Sequence, residues 1–297
     1  MSIVFDAIVL AGGEGRRFEG AHKPDVEVDG RRMLDHVLDA VAGARRIALV
    51  APPEVRPGRE DPRILQTMED PPRGGPAAGV AAGLAALDGL GGVGGVGVAR
   101  PGEPGDGGGV PGRGGGVPVV VLSCDVPRVG PAVPRLLEAL EALDAPDSAA
   151  AGDLADGPAP SSTADSPARG QSTQADGVAL ATWEAPRTER SDTRAEPAPS
   201  SAPAGQADPA PSSRPARPQS LGSAARPNIQ RLAAVYRRES LTRAVEARDG
   251  LGGGLHGVSM RRFLEGLDLR PVVAHGDEAQ DVDSWADLAR LTAEGAG

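Results

Sequence analysis

The sequence predicts an α/β fold built on a mostly parallel sheet and interrupted by insertions that do not fold. Two observations carry this. Apolar runs that read as strands alternate with segments of helical periodicity, the order expected when crossover helices return the chain to a parallel sheet. Three long stretches hold few apolar anchors and are dominated by small residues and proline. Such stretches bury too little surface to offset their conformational entropy.

Taken in order, Phe5 to Leu10 reads as a buried first strand that ends in Ala11-Gly12-Gly13-Glu14-Gly15. Met33, Leu34, Val37, Leu38 and Val41 recur at helical spacing and predict a helix over 32–43. Ile47 to Val50 is a second strand, stopped by Pro52-Pro53. Pro76 to Leu87 is Ala-rich and predicts a helix, with Pro76 suited to the first turn. Residues 89–117 read as a flexible Gly- and Pro-rich loop. Val117 to Leu122 is the strongest strand in the chain and runs into Ser123-Cys124-Asp125. Val133, Leu136, Leu137 and Leu140 mark the helix that follows.

Residues from about 144 to 175 and from 184 to 226 read as disordered, with a strand from Gly177 to Trp183 standing alone between them. The folded pattern resumes with a strand at Leu232 to Tyr236 and helices at Ser240 to Ala247 and Val258 to Leu267. A short strand at Pro271 to Ala274 and a closing helix at Asp283 to Leu291 complete it. The prediction is one domain over 1–297, with insertions at about 89–117, 144–175 and 184–226.

Composition narrows the function. The net charge of -10 opposes nucleic acid and anionic membranes as partners. A single cysteine, Cys124, excludes an internal disulfide framework and a multi-Cys metal site. The N-terminus lacks the basic start and apolar core of a signal peptide, and no apolar run reaches membrane-spanning length. A soluble, cytoplasmic protein is therefore expected. Of the 31 basic residues, Lys23 alone is lysine. Its compact ammonium differs from a guanidinium fork at a crowded phosphate site.

The loop after the first strand has a phosphate-binding layout. Glycines admit an anion close to the backbone, and successive N–H groups form a concave nest. There is no G-x-x-x-x-G-K-S/T, so the loop is not a P-loop. Gly12, Gly13, Gly15 and Gly20 do not give the G-x-G-x-x-G dinucleotide fingerprint either. Asp125 follows the strongest strand, where ligands of open parallel sheets bind. A hard carboxylate there is placed to hold Mg²⁺ against phosphates, or else to cap the next helix.

Two strings carry a resemblance. Leu10-Ala11-Gly12-Gly13-Glu14-Gly15-Arg16-Arg17-Phe18-Glu19-Gly20-Ala21-His22-Lys23 resembles, without a gap, the signature loop of the MobA-like nucleotidyltransferases, the molybdenum-cofactor guanylyltransferases. Cys124-Asp125-Val126-Pro127 resembles that family's metal-binding C-D-x-P. Glu19 stands where the family usually has Gly, and His22 where it often has Asp.

The resemblance implies a Rossmann-like three-layer α/β/α nucleotidyltransferase fold. It also implies that Leu10, Ala11, Gly12, Gly13 and Gly15 cradle a triphosphate, with Arg17 and Lys23 contacting phosphates and Asp125 holding Mg²⁺. Met68-Glu69-Asp70 with Gly74 to Gly79 resembles the family segment beside the nucleotide, which sets Asp70 and Gly79 near base and ribose. Asp281-Val282-Asp283-Ser284 resembles its strand-to-helix junction with both Asn replaced by Asp. There Asp283 and Ser284 are read as helix caps, and a second metal contact from Asp281 or Asp283 is open.

The activity implied is transfer of GMP from GTP to molybdopterin with release of pyrophosphate. CTP as donor, a sugar or alditol phosphate as acceptor, and a non-catalytic nucleotide-binding regulator stay open as alternatives. The insertions are candidate segments for binding a protein partner.

Overall fold

The computed structural model describes residues 3–13, 18, 22–89, 116–144, 174–182, 227–249 and 254–294. The chain divides into two compact units, Met1–Thr182 with Ile229–Gly297, and Trp183–Asn228. Apart from Asn228, the elements below belong to the first. The expected insertions at 89–117, 144–175 and 184–226 fall almost entirely outside the described residues, and so does Trp183.

Strand β1 (Asp6–Leu10) leads to a short 3-10 turn at Lys23–Asp25 and a two-stranded ribbon of β2 (Glu27–Val28) and β3 (Arg31–Arg32). Then come helix α1 (Met33–Ala40), β4 (Ile47–Val50), β5 (Ile64–Thr67), α2 (Pro76–Leu87), β6 (Val119–Ser123) and α3 (Ala132–Ala142). The second half supplies β7 (Gly177–Thr182), β8 (Asn228–Tyr236), α4 (Arg238–Asp249), α5 (Met260–Phe263), β9 (Leu269–Val273) and α6 (Trp285–Glu294).

The main sheet has seven strands in the order β5-β4-β1-β6-β8-β7-β9. Parallel pairing joins β5 to β4, β4 to β1, β1 to β6, and β7 to β9. Strand β8 lies antiparallel to β6. Along the central strands the side chains alternate between two cores, because successive Cβ atoms point to opposite faces. Val9, Leu49, Val120, Leu122, Val178 and Leu180 face α1 and α3. Ile8, Ala48, Val119, Val121, Ala179 and Tyr236 face α2, α4 and α5. The result is the three-layer α/β/α arrangement, with a mostly parallel mixed sheet. Among the described residues no helix is long and apolar enough to cross a membrane.

Several elements differ from the sequence reading. The strand at 177–182 is not alone: it lies between β8 and β9 in the sheet. Buried Asp176 secures its start, accepting from Ser240 Oγ at 2.6 Å and from the Asp268 amide at 2.9 Å. The helix expected over Val258 to Leu267 is only Met260–Phe263. Ser259 caps it by accepting from the Arg262 amide, and Gly266 at φ 92° turns the chain away just past its end. Strand β5 has no clear sequence signature because it is short and only partly buried. The β2–β3 turn places Asp29 at φ 52° and Gly30 at φ 75°. Both positive values match the Asp-Gly preference of a tight hairpin.

Candidate active site

The parallel strands deliver their carboxyl ends to one edge of the sheet. Leu10 stands opposite Val50 and Ser123, and Val50 opposite Thr67. The hydrogen-bond ladder continues one step into the loops. Ala11 donates to the Val50 carbonyl at 2.8 Å, Cys124 to that of Leu10 at 2.9 Å, and Ala51 to that of Thr67 at 2.9 Å. The glycine loop and the Cys124-Asp125 turn therefore leave the sheet side by side, in the crevice where open α/β sheets bind ligands.

Gly12 and Gly13 are exposed on that edge, and a Cβ added at either would meet nothing within 4 Å. Gly15 and Arg17 lie outside the described residues, as does Glu19. Farther along, Phe18 anchors the loop. It is buried with Val26, Val28, Met33, Val282 and Leu291, and its ring meets Trp285 edge-to-face at 5.2 Å. The aromatic residue of the signature thus holds the loop to the body of the protein. The C-terminal helix α6 supplies part of its seat.

Lys23 opens the 3-10 turn and is buried there. Its Nζ lies 3.0 Å from Asp125 Oδ2 and also donates to Asp283 Oδ1. Burial disfavours the Lys23 charge, yet the Asp125 and Asp283 carboxylates outweigh it and raise the pKa above the ordinary lysine value. Backbone geometry brings the carboxylates together: the Val282 amide donates to the Asp125 carbonyl at 2.8 Å. Next to them, Asp281 is pushed above the usual carboxylate range, by burial first and then by Asp283 and Asp125. Two carboxylates thus hold one ammonium, with a third acidic group nearby.

Ser284 and Asp287 cap the last helix between them. Ser284 accepts from the Asp287 amide at 3.3 Å, and Asp287 Oδ2 accepts from the Ser284 hydroxyl at 2.7 Å and the Asp283 amide at 3.2 Å. The Asp283 carboxylate in turn accepts from Lys23. The partnership is the feature of the site that sequence reasoning missed. The available signal was Ser284 followed three residues later by Asp287, a spacing that marks Ser284 as the cap residue.

Cys124 is buried, and burial together with Asp125 pushes its thiol up to about 12. It is a packed neutral group and no nucleophile. Asp70 is exposed just beyond β5, and no contact joins it to Lys23 or Asp125. Three strand spacings separate β5 from β6, roughly 14 Å along the same edge. Gly79 lies in the first turns of α2, where an added Cβ would sit 3.1 Å from Leu10 Cδ2. Its lack of a side chain lets the helix approach the end of β1.

Among the described residues no group of three or more His, Cys, Asp or Glu has metal-ligating geometry. The donors present are two carboxylates on one cation position. That set suits Mg²⁺, which takes one or two carboxylates and completes its shell with phosphate oxygens and water.

Solved structures align with this chain. The chain aligns with 2-C-methyl-D-erythritol 4-phosphate cytidylyltransferase from Thermus thermophilus at 14% identity and TM-score 0.52, covering 99% of this chain and 100% of that one. It aligns with 4-diphosphocytidyl-2C-methyl-D-erythritol synthase from Anaerococcus prevotii at 13% identity and TM-score 0.52, covering 99% of each chain. Molybdopterin-guanine dinucleotide biosynthesis protein A from Archaeoglobus fulgidus aligns at 15% identity and TM-score 0.44, covering 98% of this chain and 99% of that one. Among curated protein sequences none matches. The sequence model of the MobA-like NTP transferase domain matches residues 7–254, well over half of the chain. The protein therefore belongs to the MobA-like nucleotidyltransferase family.

Proposed function

We propose that this protein is a cytoplasmic, Mg²⁺-dependent guanylyltransferase that transfers GMP from GTP to molybdopterin and releases pyrophosphate. The observation that carries the reading is the meeting of Lys23 with Asp125 beside Gly12 and Gly13, in a chain of this family. An oxygen of the molybdopterin terminal phosphate attacks the α-phosphorus of GTP. A new P–O bond forms there, the bond to the bridging oxygen of the β-phosphate breaks, and pyrophosphate departs with that oxygen.

Such transfers ask little covalent work of a protein, so positioning and charge neutralisation supply most of the catalysis. The amides of Gly12 to Gly15 cradle the phosphates just past the strand end at Leu10 and Ala11, while Arg17 and Lys23 oppose the charge that develops on them. Asp125, joined by Asp283, would hold Mg²⁺, which lowers the repulsion between phosphate oxygens when bound. Asp70 and Gly79 flank base and ribose on the β5 side of the edge.

A second reading replaces GTP by CTP, with molybdopterin or a sugar or alditol phosphate as acceptor. The likeness of fold to a cytidylyltransferase and to a diphosphocytidyl-methylerythritol synthase favours it over other bases. Thermal stabilisation by GTP, CTP, ATP, UTP and dTTP, with and without Mg²⁺, tests the proposal. The largest shift is expected with GTP and Mg²⁺ together. A largest shift with CTP moves the protein to the second reading, and no shift with any nucleotide contradicts both.

A further inference from the structure

We propose that the Lys23 ammonium is a built-in stand-in for the metal ion, occupying the Asp125–Asp283 carboxylate pair until nucleotide arrives. A divalent cation then enters this site with the nucleotide and not before it. The inference rests on the nucleotidyltransferase reading above and extends it to the order in which ligands bind.

Three observations support it. Both carboxylates turn their oxygens to one point, and Lys23 Nζ sits at that point, 3.0 Å from Asp125 Oδ2 and hydrogen-bonded to Asp283 Oδ1. The cation lies deeper than its partners: the Lys23 side chain is 10% exposed, against 24% for Asp125 and 42% for Asp283. The arrangement is also rigidly built. Val282 joins the two acidic segments through the Asp125 carbonyl and is itself fully buried in the cluster that holds Phe18.

The energetics follow from these positions. A metal ion approaching alone must expel an ammonium that would be left buried without a counter-charge, and removing one partner of such a pair is costly. A triphosphate changes the balance, because it offers Lys23 new anionic oxygens and gives the metal additional ligands. Exchange of Lys23 from carboxylate to phosphate lifts its charge from the pair in the same event. Linkage then requires that nucleotide raise metal affinity by the same factor as metal raises nucleotide affinity.

The test is binding of Mn²⁺ alone, without nucleotide, to the full-length chain, read by electron paramagnetic resonance or calorimetry. Wild type is expected to bind weakly. Lys23→Gln keeps a hydrogen-bond donor but removes the charge, and is expected to bind about tenfold tighter or more. Lys23→Arg keeps a cation and is expected to stay as weak as wild type. Adding Asp125→Asn to Lys23→Gln should abolish the gain, which locates the metal at this pair. Circular dichroism of each variant checks folding, and Lys23→Met replaces Lys23→Gln if the latter does not fold. Equal Mn²⁺ affinity in wild type and the neutral variants overturns the proposal, as does a gain that survives Asp125→Asn. Because no nucleotide is present, the result is independent of base preference. Nucleotide-induced stabilisation with unchanged metal affinity would defeat this inference alone.

Discussion

Lys23 shows what a single residue type contributes. A guanidinium fork is planar and directional, whereas an ammonium is a compact charge with three donors that rotate to suit their acceptors. Lys23 uses that freedom to reach carboxylates from two distant segments, Asp125 after β6 and Asp283 before α6. Its raised pKa means that the stability it contributes is fully present below the ordinary lysine value of 10.5 and is lost only as pH rises through the higher folded value. Across the neutral range the site is therefore constant in charge at this position. Lys23→Ala and Asp125→Ala should each lower turnover by about 100-fold or more, the scale on which charge-stabilising groups act. Steady-state kinetics with circular dichroism as a folding control checks this, and near-normal turnover in either variant removes that residue from the reaction. Both residues were legible in the sequence through strings with fixed spacing. The role of Asp283 was not, because an aspartate ahead of a helix is most simply read as its cap. The bonds made in the folded chain show Ser284 and Asp287 in that role and Asp283 facing Lys23.

Among the elements, helix α2 positions the edge of the site through residues it lacks. An added Cβ at Gly83 would lie 2.6 Å from Ile8 Cγ2, and one at Gly79 3.1 Å from Leu10 Cδ2. The helix thus lies directly on β1, and two helix-weakening glycines are retained for close approach. Gly83→Val should lower stability by about 1–3 kcal/mol through overpacking while leaving nucleotide affinity unchanged. Gly79→Val should lower both, since it displaces Leu10 where the glycine loop begins. Chemical denaturation and nucleotide titration separate the two cases, and a neutral Gly83→Val would contradict the packing account. The span of α2 was legible from Pro76 to Leu87, because composition and an N-terminal proline mark it. The purpose of its glycines was hidden, since they answer to a strand far away in sequence. Element β5 was hidden for a related reason: an edge strand of mixed burial has neither the continuous apolar run of a central strand nor a clean alternation.

At the scale of the whole molecule, the sheet order turns sequence distance into proximity. Residues 10–13 with Lys23, 123–125 and 281–283 come from the beginning, middle and end of the chain and meet at one carboxyl edge. The opposite edge is devoted to structure. There, fully buried Asp6 binds Arg45 at 3.0 and 2.8 Å and pairs with Arg238, joining the start of β1 to the start of α4. One end of the sheet carries polar groups arranged to satisfy one another, and the other carries groups arranged to accept a ligand. The parallel half of this plan follows from alternating strand and helix signals, whereas insertion of β8 between β6 and β7 is a tertiary choice with no local signature. The central claim is transfer of a nucleotidyl group at this edge, and pyrophosphate release from GTP tests it most directly. With Mg²⁺ and molybdopterin present, wild type should release pyrophosphate and form a guanylylated product. Release that is absent with every nucleotide and acceptor of the proposed classes, or that survives replacement of Asp125, would contradict the account.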